Sequence, residues 1–219
     1  MDNESNRWLG AGLAASVAAL LLFLWLARLE QSGAGMSLDT AVRQDIHAWS
    51  SPLVTRVMEA ITQLGSAVFL IALGAFLTYR LAAQRRHHAA VMLAVVAVGA
   101  AAVHEALTII YHRARPEPFF GLGVPSTYSF PSGHAMGSAA FYGIVAAVFA
   151  MRATSSRRKA AIWLAAALLA ALIGFSRVYL GVHYPTDVLA GYAAAIVWAG
   201  AVRIGYEVWQ RRRRRRSRT

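Results

Sequence analysis

The 219-residue sequence contains no cysteine, which excludes disulfides and thiolate metal sites. Charged residues are also scarce, at 15% of the chain, and only 10 residues are acidic. Hydrophobic residues, in contrast, make up 58% of the sequence. So little charge, set among long apolar runs, indicates a membrane protein in place of one or two soluble domains.

The few charges are mostly positive, with a formal net charge of +12. Seven of the 22 basic residues lie in the C-terminal tail, Arg211 to Arg218, and most of the others flank apolar runs. This distribution is typical of membrane topology signals and differs from the basic stripe of a nucleic-acid-binding fold. We therefore expect no nucleic-acid partner. The tail is interpreted as an anchor to anionic lipid, with a regulatory or partner-binding tail as the alternative.

Six apolar runs are long enough to cross a bilayer as helices. The sequence therefore predicts an all-α, polytopic membrane protein, with one six-helix domain over residues 1–210 and a basic cytoplasmic tail over 211–219. A signal peptide is the rival interpretation of the first run, but Arg28 and Glu30 follow it where a small-residue cleavage site would be needed. The predicted spans are Trp8–Leu29, Leu64–Leu81, Ala89–Tyr111, Ser132–Met151, Ala160 to about Tyr179, and Thr186–Trp209.

The segment between the first two spans, residues 30–60, has mixed character. Leu38, Val42, Asp45, Ile46 and Trp49 recur at helical spacing and predict an amphipathic helix with one polar residue on its face. Pro52 ends this helix, and a second helical stretch follows it. We expect the segment to lie along the membrane surface.

Charge around the spans predicts their orientation. Six spans place both termini on one side, together with the basic loops Arg80–Arg86 and Arg152–Lys159 and the Arg-rich tail. The positive-inside rule makes this side cytoplasmic, in a plasma (inner) membrane. The loops after the third and fifth spans then face outward.

The second of these loops carries ionisable residues where apolar sequence is expected. In the stretch from Ser176 to Asp187, a helix starting at His183 would place His183 and Asp187 on one face. The carboxylate can then hold one imidazole nitrogen and leave the other free to attack an electrophile. Arg177 is permanently charged and suits a phosphate oxygen.

Two further motifs surround the other outward loop. Arg113 and Arg115 can together bind one phosphate. The alternative is that both are interfacial arginines that extend to lipid headgroups. In Phe130-Pro131-Ser132-Gly133-His134, Ser132 suits a helix N-cap and Gly133 permits close backbone approach. His134 would lie beside a phosphate held there and can act as a general acid. A capped helix with an incidental histidine is the alternative.

Taken together, Arg115-Pro116, Pro131-Ser132-Gly133-His134 and Ser176-Arg177-x5-His183-x3-Asp187 resemble the type 2 phosphatidic acid phosphatase (PAP2) superfamily. One position departs from the family pattern, because Thr108 stands where the first motif has lysine. Arg113 is one candidate for the missing charge, and His104 is another.

The resemblance implies a metal-independent phosphatase without a cofactor. His183 would be the nucleophile, Asp187 its orienting group and His134 the general acid and base. The implied phosphate ligands are Arg115, Arg177, Ser132 and Gly133, with Arg113 and Ser176 as further candidates.

The expected partners are the bilayer and a lipid phosphate substrate, such as phosphatidic acid, phosphatidylglycerol phosphate or a polyprenyl diphosphate. The sequence favours a polyprenyl diphosphate or a broad range of lipids slightly, and it leaves the oligomeric state open. Two alternatives remain: a lipid phosphotransferase of the same superfamily, and a lipid-binding or transport protein without turnover.

Overall fold

The computed structural model describes residues 3–123 and 126–216, and over these residues the secondary structure is helical, without strands. The all-α prediction is therefore confirmed. The helices are α1 (Asn3–Ser32), α2 (Met36–Ala48), α3 (Pro52–Gln63), α4 (Ala67–Ala83), α5 (His87–Tyr111), α6 (Gly133–Ala150), α7 (Ser156–Tyr179) and α8 (Pro185–Arg216).

Five of these helices, α1, α5, α6, α7 and α8, are each long and apolar enough to span a membrane. The predicted second span, Leu64–Leu81, corresponds to α4, which has only 17 residues. It reaches the length of a span together with α3, from which it is bent by 46°. The number of spans is thus five, or six with this bent pair. The predicted boundary at residue 210 is not marked by a break, because α8 continues through Arg216; residues 217–219 of the predicted tail lie outside the described residues.

Serine residues determine where four helices begin. In each case the serine hydroxyl accepts a hydrogen bond from the backbone N–H three residues later, which satisfies one of the donors that a helix start leaves unpaired. These N-caps are Ser51 before α3, Ser66 before α4, Ser132 before α6 and Ser155 before α7.

Helix α2 has a charged side and an apolar side, and the charged side faces the bundle. Its buried residues are the charged Asp39 and Arg43, whereas Leu38, on the predicted apolar face, is 66% exposed. Val42 and Ile46 are half-buried. The helix therefore turns its charged side toward the bundle and leaves apolar side chains outward, where a bilayer can cover them. This orientation is compatible with the predicted position of the segment along the membrane surface.

Small residues allow α6, α7 and α8 to pack closely, as the Ala-rich composition predicts. A Cβ atom added at Gly191 of α8 would lie 2.6 Å from the carbonyl oxygen of Ser132. Gly174 of α7 faces Tyr192 and Val188 of α8 with equally little room. The start of α6, the end of α7 and the start of α8 consequently meet at one end of the bundle.

We predict that Gly191→Ala lowers the thermal stability of the detergent-solubilised protein. The added methyl group would collide with backbone that cannot move aside, an overpacking effect of about 1–3 kcal/mol. Gly205→Ala is the matched control on the same helix, because nothing lies within 4 Å of its added methyl group. An equal melting temperature for Gly191→Ala and wild type would contradict this account of the packing.

Candidate active site

His183 and Asp187 lie at the meeting point of α7 and α8. His183 belongs to the turn before α8, and Asp187 lies in the first turn of that helix. The predicted helical geometry is therefore wrong at His183, but the two side chains still meet, with His183 Nδ1 3.3 Å from Asp187 Oδ2. Both are buried, at 2% and 0% exposure.

Asp187 has several donors besides the imidazole. Arg113 Nη1 lies 2.5 Å from Oδ1, the backbone N–H of Tyr184 donates to Oδ2 at 2.9 Å, and the Ser129 hydroxyl also donates to Oδ2. A buried carboxylate is tolerated only when it is paired and hydrogen-bonded. This set of donors therefore satisfies the buried carboxylate and fixes its orientation.

The other imidazole nitrogen of His183 faces Arg115, whose Nη1 lies 3.0 Å from Nε2. Because a guanidinium only donates hydrogen bonds, Nε2 must be the acceptor, and Nδ1 carries the proton toward Asp187. Burial is the main cause that lowers the pKa of His183, to about 4, although Asp187 opposes it. The imidazole is thus neutral near pH 7, with an unprotonated nitrogen beside a cation.

Arg115 and Arg177 bring two guanidinium groups to this end of the bundle. Arg115 is held by the Thr127 carbonyl oxygen at 2.7 Å and the Val182 carbonyl oxygen at 3.0 Å. Arg177 Nη1 donates to the Thr62 hydroxyl at 2.8 Å, while its Nε is buried without a hydrogen-bond partner among the described residues. A buried donor without a partner is costly, and an anion bound here would satisfy it.

The start of α6 supplies backbone donors. Ser132 caps the helix with its side chain, and its own N–H donates to the carbonyl oxygen of Asp187 at 2.9 Å. A Cβ atom at Gly133 would lie only 2.8 Å from Nε2 of His104, so a larger residue there would require the His104 ring to move. Free N–H groups at the start of a helix bind phosphate oxygens.

His134, in the first turn of α6, lies within electrostatic reach of Arg177, His183 and Arg115. The structure therefore brings together residues from all three sequence motifs. Among the described residues, no group of three or more His, Asp or Glu side chains is arranged to hold a metal ion.

Two tentative phosphate ligands have other contacts. Arg113 is buried, and its terminal nitrogens pair with Asp187 at 2.5 Å and Asp39 at 2.7 Å. Burial alone would lower the pKa of Arg113, but the two carboxylates outweigh it and raise the pKa above its ordinary value. Ser176 is also buried and donates its hydroxyl to the Ile173 carbonyl oxygen at 2.6 Å. Neither group is therefore placed like Arg115 or Arg177.

Thr108, at the position of the missing lysine, is buried and donates its hydroxyl to the His104 carbonyl oxygen at 2.7 Å. Its Oγ1 also lies 3.3 Å from His104 Nε2, and the His104 ring packs against Gly133. Because Arg113 is paired with carboxylates, it does not supply the charge of a free lysine. His104 is the residue that reaches the start of α6 from this part of α5.

Three residues of the site were missed by sequence reasoning. Ser129 contacts Asp187 from just before the second motif, and Thr186 donates both its N–H and its hydroxyl to Asp39. Asp39 could have been noticed in the sequence, because Asp39 and Arg43 carry opposite charges and lie four residues apart, on one face of a predicted helix.

Comparison with known proteins gives consistent matches. The family model described as the PAP2 superfamily matches residues 88–211, more than half of the chain. Phosphatidylglycerophosphatase B of Bacillus subtilis is 32% identical over 182 residues, covering 83% of this chain and 89% of that protein. An undecaprenyl-diphosphatase of Sulfolobus acidocaldarius is 38% identical over 68 residues, covering 31% of this chain and 29% of that protein.

A solved structure agrees with these matches. The crystal structure of a transmembrane PAP2-type phosphatidylglycerolphosphate phosphatase from Bacillus subtilis superposes with a TM-score of 0.80 at 31% identity, covering 88% of this chain and 96% of that chain. These matches agree with the apolar, membrane-length helices and with the meeting of the three motifs at one end of the bundle. The chain therefore belongs to the PAP2 superfamily and is a membrane lipid phosphatase.

Proposed function

We propose that the protein hydrolyses a lipid phosphate through a phosphohistidine intermediate on His183. The observation that carries this proposal is the arrangement around the imidazole. Nδ1 is directed to Asp187, while the unprotonated Nε2 lies 3.0 Å from the Arg115 guanidinium. An activated nucleophile beside an anion-binding group is what attack on a phosphate ester requires.

In the first step, His183 Nε2 attacks phosphorus, and the bond from phosphorus to the lipid oxygen breaks. His134 acts as the general acid that gives a proton to the leaving oxygen, and Asp187 stabilises the positive charge that develops on His183. In the second step, neutral His134 takes a proton from water, whose oxygen attacks phosphorus. The bond from phosphorus to nitrogen then breaks, and inorganic phosphate leaves with both histidines restored.

The non-bridging phosphate oxygens would be held by Arg115, Arg177, Ser132 and the N–H of Gly133. The unpartnered Nε of Arg177 supports this assignment, because it gains an acceptor when phosphate binds. Guanidinium groups and the start of α6 supply the positive potential that stabilises the transition state.

The substrate proposed first is phosphatidylglycerol phosphate, because the relative aligned over most of both chains is named for that activity. A polyprenyl diphosphate is the second candidate, supported by the shorter match to an undecaprenyl-diphosphatase. Phe120 and Tyr128, at 39% and 43% exposure, lie in the loop between α5 and α6 and suit the edge of a lipid-facing site.

We further propose that the site faces the extracytoplasmic side and that both termini are cytoplasmic in the plasma membrane. The supporting observation is charge. The basic loops Arg80–Arg86 and Arg152–Lys159 lie at the end of the bundle opposite His183, and the positive-inside rule assigns that end to the cytoplasm.

We predict that the purified protein releases inorganic phosphate from phosphatidylglycerol phosphate without an added acceptor. His183→Gln should lower the rate at least about 10³-fold, because no nucleophile remains. His88→Gln, an exposed histidine at the opposite end, is the matched control and should keep wild-type activity. Parallel assays with phosphatidic acid and undecaprenyl diphosphate rank the substrates.

Three outcomes would count against parts of this proposal. Phosphate release that requires an alcohol acceptor would indicate a phosphotransferase. Tight lipid binding without release of phosphate from any of the three substrates would indicate a binding protein. Activity retained in His183→Gln would overturn the assignment of the nucleophile.

We also predict that the His183 ring stays neutral from pH 8 down to about pH 5. Its pKa is lowered to about 4 by burial, so protonation should begin only below that interval, whereas an exposed histidine titrates near 6.5. NMR of protein labelled in the histidine rings measures this, with the His183 signal identified by its loss in His183→Gln. A midpoint near 6.5 for that signal would contradict the buried, neutral imidazole.

A further inference from the structure

A row of buried charges joins helix α2 to the catalytic pair. Asp39 of α2 accepts a hydrogen bond from Arg113 Nη2 at 2.7 Å, and Arg113 Nη1 donates to Asp187 at 2.5 Å. Asp187 in turn contacts His183. Asp39 is 1% exposed, so its charge is balanced by protein groups in place of water.

Thr186 ties the same groups together a second time. Its N–H and hydroxyl contact the two oxygens of Asp39 at 3.0 and 2.5 Å, and its Oγ1 also accepts a hydrogen bond from Arg113 at 2.8 Å. The Arg113 guanidinium lies over the Tyr184 ring, 4.1 Å from its centroid. Arg113 therefore has little freedom to move while Asp39 is in place.

Two further residues of α2 contact the segments around the site. Arg43, one turn after Asp39, donates to the carbonyl oxygens of Glu117 at 2.7 Å and Gly181 at 3.0 Å. His47 stacks on Phe119 with ring centroids 4.0 Å apart. Helix α2 thus contacts both the loop before α6, which carries Arg115, and the turn before α8, which carries His183.

We propose that Asp39 is a positioning residue for the reaction: from α2, it fixes Arg113 so that Arg113 holds Asp187 in line with His183. The inference rests on the proposed function, in which Asp187 orients the nucleophile. Asp39 touches neither substrate nor reacting atoms. Its carboxylate instead gives Arg113 a second anion, so that the guanidinium bridges two fixed groups instead of turning toward a bound phosphate.

The test is Asp39→Asn in the full-length protein, assayed for phosphate release. The amide is similar in size but uncharged, and only one of its two terminal atoms can accept, so it cannot satisfy Arg113 and both Thr186 donors as the carboxylate does. We expect kcat to fall about 10–100-fold, with KM and the inhibition constant of inorganic phosphate changing less than about threefold. Phosphate binding persists because Arg115, Arg177 and the start of α6 are unchanged. Asp39→Glu, which retains the charge, should recover part of kcat.

Asp45→Asn is the matched control, since it removes the same charge from an exposed position of the same helix and should leave kcat unchanged. Equal kcat in Asp39→Asn and wild type would overturn the proposal while leaving the proposed function intact, because the wild type is still active. A parallel loss of kcat and of phosphate inhibition would indicate a structural role only. Should Asp39→Asn fail to fold, Asp39→Glu carries the test: the displaced carboxylate should lower kcat without weakening inhibition by inorganic phosphate, and an equal loss of both would overturn the proposal.

A second inference rests on a separate cavity at the other end of the bundle. It has a volume of about 340 Å³ and lies between α4, α5 and α6. Its wall is mainly apolar, with Leu81, Leu93 and Val148 among the lining residues, and Arg80, Arg86 and Arg152 also line it. None of these arginines takes part in the ion pairs found among the described residues.

We infer that this cavity binds one anionic phospholipid from the leaflet at that end. The three guanidinium groups would pair with the headgroup phosphate, and the apolar wall would cover the first part of an acyl chain. Charge complementarity supports this occupant, since three cations without an acidic partner border an apolar space between membrane helices. The volume lies within the range of ligand sites in proteins.

The test compares thermal unfolding in phosphatidylcholine nanodiscs with and without phosphatidylserine, an anionic lipid that carries no phosphomonoester. We expect phosphatidylserine to raise the wild-type melting temperature by roughly 2–5 °C. The triple variant Arg80→Gln, Arg86→Gln and Arg152→Gln should lose this increase. The triple variant Arg157→Gln, Arg158→Gln and Lys159→Gln, which removes the same charge from the neighbouring loop, should keep it. An equal response of the two triple variants, or none in wild type, would overturn the inference.

Discussion

The structure depends on the burial of one carboxylate, that of Asp187. A charge at this depth is tolerated only if donors surround it. Arg113 and Ser129 supply them from the loop before α6, and His183 and the Tyr184 N–H supply them from the turn before α8. These donors arrive only when the loop before α6 and the turn before α8 are both folded around α8. Satisfying one buried charge therefore also places His183, the proposed nucleophile.

Helix packing delivers these segments to a common point. Glycine and alanine bring α6 and α8 so close that the Ser132 N–H reaches the Asp187 carbonyl oxygen at 2.9 Å. Helix α6, whose start is proposed to bind phosphate, is thus hydrogen-bonded to α8, which carries Asp187. Relative movement of the two helices would disturb both the proposed phosphate site and the contact between Asp187 and His183.

Much of this arrangement could be predicted from the sequence, because long apolar runs reveal spans and ionisable residues stand out against them. His134, Arg177, His183 and Asp187 were recognisable for that reason. The role of Arg113 was not, because its partner Asp39 is 74 residues away and only tertiary structure shows the pairing. The side of α2 that faces the bundle was not predicted either, since hydrophobic periodicity identifies an apolar face without telling whether protein or lipid will cover it.

The attachment of α2 has a consequence for the order of folding. Asp39 and Arg43 face inward, and their hydrogen-bond partners are Arg113, Thr186 and the carbonyl oxygens of Glu117 and Gly181. Ile46 adds apolar contacts, mostly with residues near the start of α6, the end of α7 and the start of α8. Nearly all of these partners are synthesised well after α2, so the helix can reach its final contacts only when the C-terminal half of the bundle is present.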